Sequence, residues 1–259
     1  MTTRSPSPSF SRYECKYLVD AQLAGAVRGR LLQHMRLDPF SARAEGDRYR
    51  ISSLYLDGPG LELFRQTEQG IRNRYKLRIR SYTDDRRAPV FLEVKERADQ
   101  VIRKFRAPVS SADARAFLDV GRVPAAAEGA EHAHRFALKA RRLLAGPALH
   151  VRYWREAWQA TGGDPVRVTF DTEVEHAAPG ASALEPGGLA WRPTRFRQPV
   201  ILEVKYTEHR PPWLVGLLRD FQLDKRSVAK YAVSVEQSQR SSPQGLSSPS
   251  IRAGGPASR

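Results

Sequence analysis

The chain has 259 residues, 41% of them hydrophobic, with 43 Lys and Arg against 28 Asp and Glu for a formal charge of +15. This length suits one large or two small domains with a real core, and no apolar run approaches the ~18–20 residues of a membrane-spanning helix. A lone cysteine, Cys15, excludes an intramolecular disulfide and a cysteine-based zinc site; the Ser/Pro-rich start lacks a signal-peptide core, so a cytoplasmic location is expected.

The two ends read as disordered tails: residues 1–11 are rich in Ser and Pro, and residues 236–259 combine Ser, Pro and Gly without apolar periodicity. Between them, residues 12–235 form the expected folded domain. Arg12 to Tyr17 alternates at period two and predicts a strand. Asp20 caps a helix with Leu23, Val27 and Leu31 on one face. Tyr49 to Leu56 predicts a strand closed by Asp57-Gly58-Pro59-Gly60. A short helix, Leu61 to Gln69, ends at Gly70, a C-cap glycine.

Arg74 to Tyr82 predicts a strand with Arg74, Lys76, Arg78 and Arg80 on one face and Tyr75, Leu77 and Ile79 on the other. Val90 to Glu96 pairs Glu93 with Lys95, and Val101 to Val109 carries Lys104 and Arg106 in the same relation. Two helices follow, one starting at Ser110 or Ser111 and running through Leu118, the other from Glu131 to Leu144. Strands then resume at Leu149 to Trp158, with Arg152, and at Val166 to Val174, with Arg167, Thr169 and Asp171 on one face. Pro199 to Tyr206 repeats the Glu-x-Lys device as Glu203 and Lys205. Pro211-Pro212 opens a final helix with Trp213, Leu217 and Phe221 inward, and Ser227 to Val235 forms a last short segment. Seven or eight strands with inserted helices make an α+β fold around a closed or nearly closed antiparallel barrel.

Nucleic acid, an anionic membrane and polyphosphate all satisfy the net charge, so the arrangement of charges has to choose. Like charges on one strand face repel unless a counter-anion lies among them. In a barrel the inward side chains converge, and rings of Arg and Lys then hold a phosphate chain. The interspersed Glu14, Glu93 and Glu203 repel such a ligand. They become useful as hard oxygen ligands for Mg²⁺ or Mn²⁺ bridging phosphate oxygens; their bland role is to balance a cationic wall.

Taken together, RYECKY at 12–17, SSLYLD at 52–57, RYKLRIRSY at 74–82, FLEVK at 91–95, KFR at 104–106, VRYWREAW at 151–158, RVTFDTE at 167–173, LEVKY at 202–206 and SVAKY at 227–231 resemble the VTC domain. That domain is the polyphosphate polymerase branch of the triphosphate tunnel metalloenzymes, a CYTH-like superfamily. The resemblance implies an eight-stranded antiparallel β-barrel tunnel with inserted and flanking helices, Mn²⁺ or Mg²⁺ as cofactor, and transfer of the terminal phosphate of ATP onto a polyphosphate chain. It implies catalytic roles for Arg78, Arg80, Lys95 and Glu203. It places Lys16, Lys76, Lys104, Arg106, Arg152, Arg155, Lys205 and Lys230 with them around the substrate phosphates. The metal ligand is Glu203, joined by Glu14 and Glu93 as further candidates. ATP and inorganic polyphosphate are the expected partners, with no specific nucleic acid; an acidic membrane or protein partner is left open.

The sister branch of triphosphate hydrolases begins with Glu-x-Glu-x-Lys, whereas this chain has Arg12-x-Glu14-x-Lys16, which argues against it. A non-catalytic polyphosphate-binding module is the other alternative, and joint presence of Arg78, Arg80 and Glu203 favours the enzyme. No Walker-type phosphate loop is present. Cys15 alternates onto the apolar side of its strand and reads as core. Trp154 is a packing residue or a stacking group at the tunnel mouth.

Overall fold

In a computed structural model of the chain, the described residues are 13–241 without 86, 100, 124–127, 163–164, 181–182 and 208–209. In chain order they form β1 (Tyr13–Val19), α1 (Ala21–Leu31), β2 (Met35–Leu37), β3 (Tyr49–Asp57), α2 (Glu62–Glu68), β4 (Arg74–Ser81), β5 (Val90–Ala98), β6 (Val101–Val109), α3 (Ser111–Val120), α4 (Ala130–Arg142), β7 (Gly146–Ala160), β8 (Arg167–Ala177), β9 (Arg192–Pro193), β10 (Val200–Tyr206), α5 (Pro212–Asp220) and α6 (Lys230–Ser241). Among them no helix is long and apolar enough to cross a membrane.

Eight long strands form one curled antiparallel sheet in the order β1-β10-β8-β7-β3-β4-β5-β6, with β2 added to β7 and β9 to β8. The alternation that predicted the strands also decides which residues meet. Arg78 lies opposite Tyr55 on one side and Glu93 on the other, and Glu93 lies opposite Arg106. Across the other half of the sheet, Lys16 faces Glu203, and Glu203 faces Thr169. All of these share the concave face.

The convex face carries two apolar cores. One packs Tyr17, Val19, Phe170, Leu202 and Val204 against α1 and α5, and Cys15 lies in it as expected from its parity. The other packs Leu54, Leu77, Ile79, Leu92 and Val94 under α3 and α4. In α5 the fully buried residues are Leu214 and Leu217, while Trp213 and Phe221 pack only in part. Local signals explain several element ends. Asp20 Oδ1 accepts from the Leu23 amide at 2.7 Å, and the Ser110 hydroxyl accepts from the Asp113 amide at 3.0 Å. Gly70 follows α2 at φ +65°, the left-handed backbone a C-cap glycine supplies.

A third core lies inside the curl. Ile51, Tyr55, Val151, Tyr153 and Ile201 on the concave face receive Tyr231, Ala232 and Val235 of α6. This helix therefore seats within the half-barrel and covers the apolar end of its interior. It also runs to Ser241, past the domain limit expected at Val235. Four buried side chains anchor its first half, and once nucleated a helix extends at little cost. Residues 1–12 and 242–259, which hold the rest of the expected tails, lie outside the described residues.

The sheet is not closed by hydrogen bonds between β1 and β6, which stand at its two ends. Side chains span the gap instead: Lys95 Nζ of β5 reaches both carboxylate oxygens of Glu14 of β1, at 3.0 and 3.1 Å. The main chain at Arg226 adds a hydrogen bond to the Lys16 carbonyl on the free edge of β1. The expected barrel is thus a half-barrel laced shut by ion pairs.

Candidate functional site

One wall of the concave face is built by β4, β5 and β6. Their pairing puts Lys76, Lys95 and Lys104 in one row and Arg78, Glu93 and Arg106 in the next. Glu93 is completely buried and ringed by cations: Lys104 Nζ at 2.6 Å, Arg78 Nε at 2.7 Å, Arg106 Nε at 3.6 Å and Arg80 Nε at 3.7 Å. Burial pushes its pKa up, but Arg78, Arg80 and Lys104 outweigh burial and hold it well below the carboxylate range. Burial likewise opposes the charge on Arg78, and Glu93 with Tyr55 more than reverses this. Arg78 Nη1 also donates to the Tyr55 hydroxyl at 3.3 Å, and Arg80 Nε to the Ser53 hydroxyl at 3.2 Å.

One carboxylate cannot neutralise four cations, so this wall keeps a net positive charge. Lys76 shows the strain. Burial, then Lys16, Lys95 and Arg78, depress its pKa to about 8, against the opposing influence of Tyr55. Lys95 is also depressed to about 8, mainly by burial, despite Glu14. Tyr55 moves the other way for a phenol. Burial raises its pKa, but Arg78, Lys76 and Arg80 bring it to about 8.

The facing wall is built by β1, β10, β8 and β7. Lys205 Nζ lies 2.6 Å from Glu203 Oε1 and 3.8 Å from Glu14, and Lys16 Nζ lies 3.6 Å from Glu203 and 3.3 Å from Glu14. Two carboxylates and two ammoniums thus form a square, with Lys95 attached from across the interior. Burial raises the Glu203 pKa, and Lys205, Lys16 and Arg155 overturn this, so it stays ionised. Asp171 is fully buried and receives a two-pronged contact from Arg155, at 2.6 and 2.7 Å, and Lys230 of α6 at 2.6 Å. Lys16 Nζ donates to the Val228 carbonyl at 3.2 Å. The segment entering α6 is therefore part of the site.

Does the donor set suit a divalent cation? Among the described residues no group of three or more His, Cys, Asp or Glu side chains could hold one. Glu203 and Glu14 share two lysines and offer hard carboxylate oxygens. Glu203 Oε1 is buried without a hydrogen bond of good geometry, its 2.6 Å contact with Lys205 being purely ionic. Mg²⁺ commonly takes one or two protein carboxylates and completes its shell with water and substrate phosphate, so this pair fits such an ion. Glu93 fits less well, because four cations already surround it.

The structure brings Glu14, Lys16, Lys76, Arg78, Arg80, Glu93, Lys95, Lys104, Arg106, Arg155, Glu203, Lys205 and Lys230 together on the concave face. Arg152 is not among them. It lies opposite Ser52, which shares the convex face with Ser81, and it pairs with Glu175 at 2.7 Å. Arg152 and Arg155 are three residues apart on one strand, and period-two alternation allows only one of them to face inward. Trp154 is likewise on the convex side, between the guanidinium groups of Arg48 and Arg50 at 5.0 and 4.8 Å. Tyr55, Asp171 and Tyr231 join the site without having been assigned to it. Tyr55 and Asp171 sit inside the SSLYLD and RVTFDTE segments, so the signal was present in their parity.

Solved structures of similar shape include a protein named as a candidate adenylate cyclase from Bacillus halodurans, 12% identical, covering 85% of this chain and 94% of its own with a TM-score of 0.48. A second so named, from Vibrio parahaemolyticus, is 14% identical and covers 86% of this chain and 97% of its own, with a TM-score of 0.47. A protein from Pyrococcus horikoshii is 13% identical and covers 88% of this chain and 98% of its own, with a TM-score of 0.44. No curated protein matches the chain significantly. The VTC domain model matches residues 11–239, the run from the first charged strand into the last turn of α6. A match of that extent takes in both walls of the site and the helix that seats between them, and the chain belongs to the VTC domain family.

Proposed function

We propose that this protein is a phosphotransferase that moves the terminal phosphate of ATP onto a polyphosphate chain within the half-barrel. The observation that carries the reading is the charge of the concave face. Its lysines and arginines outnumber Glu14, Glu93, Asp171 and Glu203, and two of its lysines are depressed to about 8, first by burial and then by neighbouring cations. A linear polyanion relieves that repulsion along its whole length. Arg78 and Arg80, held in place by Glu93, Tyr55 and Ser53, direct their remaining N–H groups to phosphate oxygens. Arginine suits this task because its planar fork pairs with two oxygens and never loses its charge.

Phosphoryl transfer asks the protein mainly for position and charge stabilisation. Lys76, Lys95 and Lys104 form a row that neutralises charge on the transferring group, while Arg155, Lys230 and Lys205 hold the chain on the opposite wall. A divalent cation, when bound, supplies Lewis-acid stabilisation of phosphate oxygens, and Glu203 with Glu14 would hold it. The decisive experiment incubates the purified protein with ATP and Mn²⁺ or Mg²⁺, then resolves the products on a gel stained for polyphosphate while free phosphate is assayed. A ladder supports polymerisation, and free phosphate alone assigns hydrolysis. A second reading, a polyphosphate-binding module without turnover, draws on one observation: Glu203 and Glu14 are already balanced by lysines. It is the outcome if neither product forms while polyphosphate binds.

A further inference from the structure

A cavity of about 850 Å³ lies on the convex side of the sheet, behind the strand that carries Arg78 and Arg80. Its floor is formed by the outward residues Leu54, Ile79 and Val90, one wall by α3, and the other by the segment from Leu184 to Trp191. Its volume falls within the range of small-molecule sites. Its chemistry is unlike that of the concave face. The floor is apolar, and the four arginines that line it have carboxylate partners: Arg50 with Asp84 at 3.2 Å, Arg80 with Glu93 at 3.7 Å, Arg115 with Glu185 at 2.8 Å and Arg152 with Glu175 at 2.7 Å. A bare phosphate chain gains nothing on an apolar floor.

Two of these arginines stand close together. Arg152 is opposite Ser52, and Arg50 precedes Ser52 by two positions on the same face, so the two residues are diagonal neighbours in the sheet at one end of the cavity, their guanidinium groups turned to Glu175 and Asp84 on either side. Among the described residues Arg152 forms a single hydrogen bond, from Nε to Glu175, and Arg50 a single one, from Nη1 to Asp84. Each keeps further N–H donors. The Arg152 guanidinium carbon also lies 4.0 Å from the centre of the Trp191 ring, a cation–π contact that holds it at the rim.

We propose that this cavity is a second binding site, for a small organic anion with an apolar body and a single acidic head. The body lies on Leu54, Ile79 and Val90, and the head is held between Arg152 and Arg50. Burial of the body supplies the affinity and the paired guanidinium groups supply the direction. The site shares strands with the tunnel, and of the inward residues Ser53 and Arg80 border it from the edge of the sheet. Leu54 and Ile79 alternate with Tyr55, Arg78 and Arg80, so the two ligands sit back to back.

The test uses the full chain, anilinonaphthalene sulfonate as a fluorescent probe, and saturating tripolyphosphate to occupy the concave face. The probe is expected to bind at one saturable site, undisturbed by tripolyphosphate. Decanoate should displace it, and decyl alcohol should do so about tenfold less well because it lacks the acidic head. Arg152→Gln should weaken the probe about tenfold, and Ala116→Trp, which fills the cavity from the half-buried face of α3, should abolish binding. Unchanged melting temperatures show that both variants are folded; if one unfolds, the other decides. Displacement by tripolyphosphate, wild-type affinity in the folded variants, or equal displacement by the alcohol overturns the assignment.

Discussion

Arg78 and Arg80 hold their positions through neighbours on their own wall, so each can be removed without dismantling the fold. Glu93 keeps Lys104 and Arg106 if Arg78 is lost, and Arg80 leaves behind the neutral Ser53 hydroxyl. Arg78→Ala or Arg80→Ala is therefore expected to lower turnover by roughly ten- to a hundredfold, the value of a lost charge-assisted contact of ~1.5–3 kcal/mol. Steady-state kinetics on folded variants check this, and near-normal turnover in both would refute the tunnel assignment. Glu203→Gln separates a metal ligand from a counter-charge. As a ligand its loss shifts the Mn²⁺ dependence of turnover to higher concentration, while metal-free polyphosphate binding holds or tightens because a repulsive carboxylate has gone. An unshifted Mn²⁺ curve, with lowered stability, assigns Glu203 to balancing Lys205 and Lys16.

At the scale of elements, α6 couples the interior to the end of β3. Tyr231 stacks on Tyr55 with ring centres 4.5 Å apart, and its hydroxyl donates to Asp57 Oδ2 at 2.8 Å. Asp57 also accepts from the amides of Gly58, Leu63 and Phe64, which fixes the turn into α2. Tyr231→Phe should lower unfolding free energy by about 1 kcal/mol, since Asp57 keeps its other donors, as measured by urea denaturation. Polyphosphate affinity should change little, because the stack on Tyr55 survives. A loss of affinity larger than the loss of stability would instead make the Tyr231 hydroxyl part of phosphate binding. The helix itself was not foreseen as an interior element: its apolar residues read equally well as a short surface segment, and only the concave apolar patch of Ile51, Val151 and Ile201 gives them a destination.

For the whole molecule, the charge of the interior sets a pH response. Lys76 and Lys95 fall from an ordinary 10.5 to about 8, and Tyr55 from 10.0 to about 8. The sign follows from the direction of each shift. A lysine whose folded-state pKa is depressed binds fewer protons than in the unfolded chain between about 8 and 10.5, so these two lysines favour the empty fold as pH rises through that window. Polyphosphate needs the charged forms, so its affinity is full below about pH 8 and falls above it, while ionised Tyr55 adds repulsion. Titration calorimetry in buffers of different ionisation enthalpy should show proton uptake on binding near pH 8, and Lys76→Met should flatten the pH dependence. Proton release would contradict the picture. Added salt should weaken binding at every pH, through screening of the more exposed contacts.

The sequence by itself determined which residues share a strand face, because side-chain parity is a local property of extended backbone. It therefore put Arg78, Glu93, Lys104, Arg106, Glu203 and Lys205 each on the charged face of its own strand. Parity also held the information that excludes Arg152, which the motif match overrode. Tertiary structure alone decided the rest. How far the sheet curls, that Lys95 of β5 ties Glu14 of β1 across the gap without a hydrogen-bond ladder, and that α6 turns inward depend on contacts between residues far apart in the chain. Those contacts are set by packing and desolvation of whole faces, which no single segment encodes.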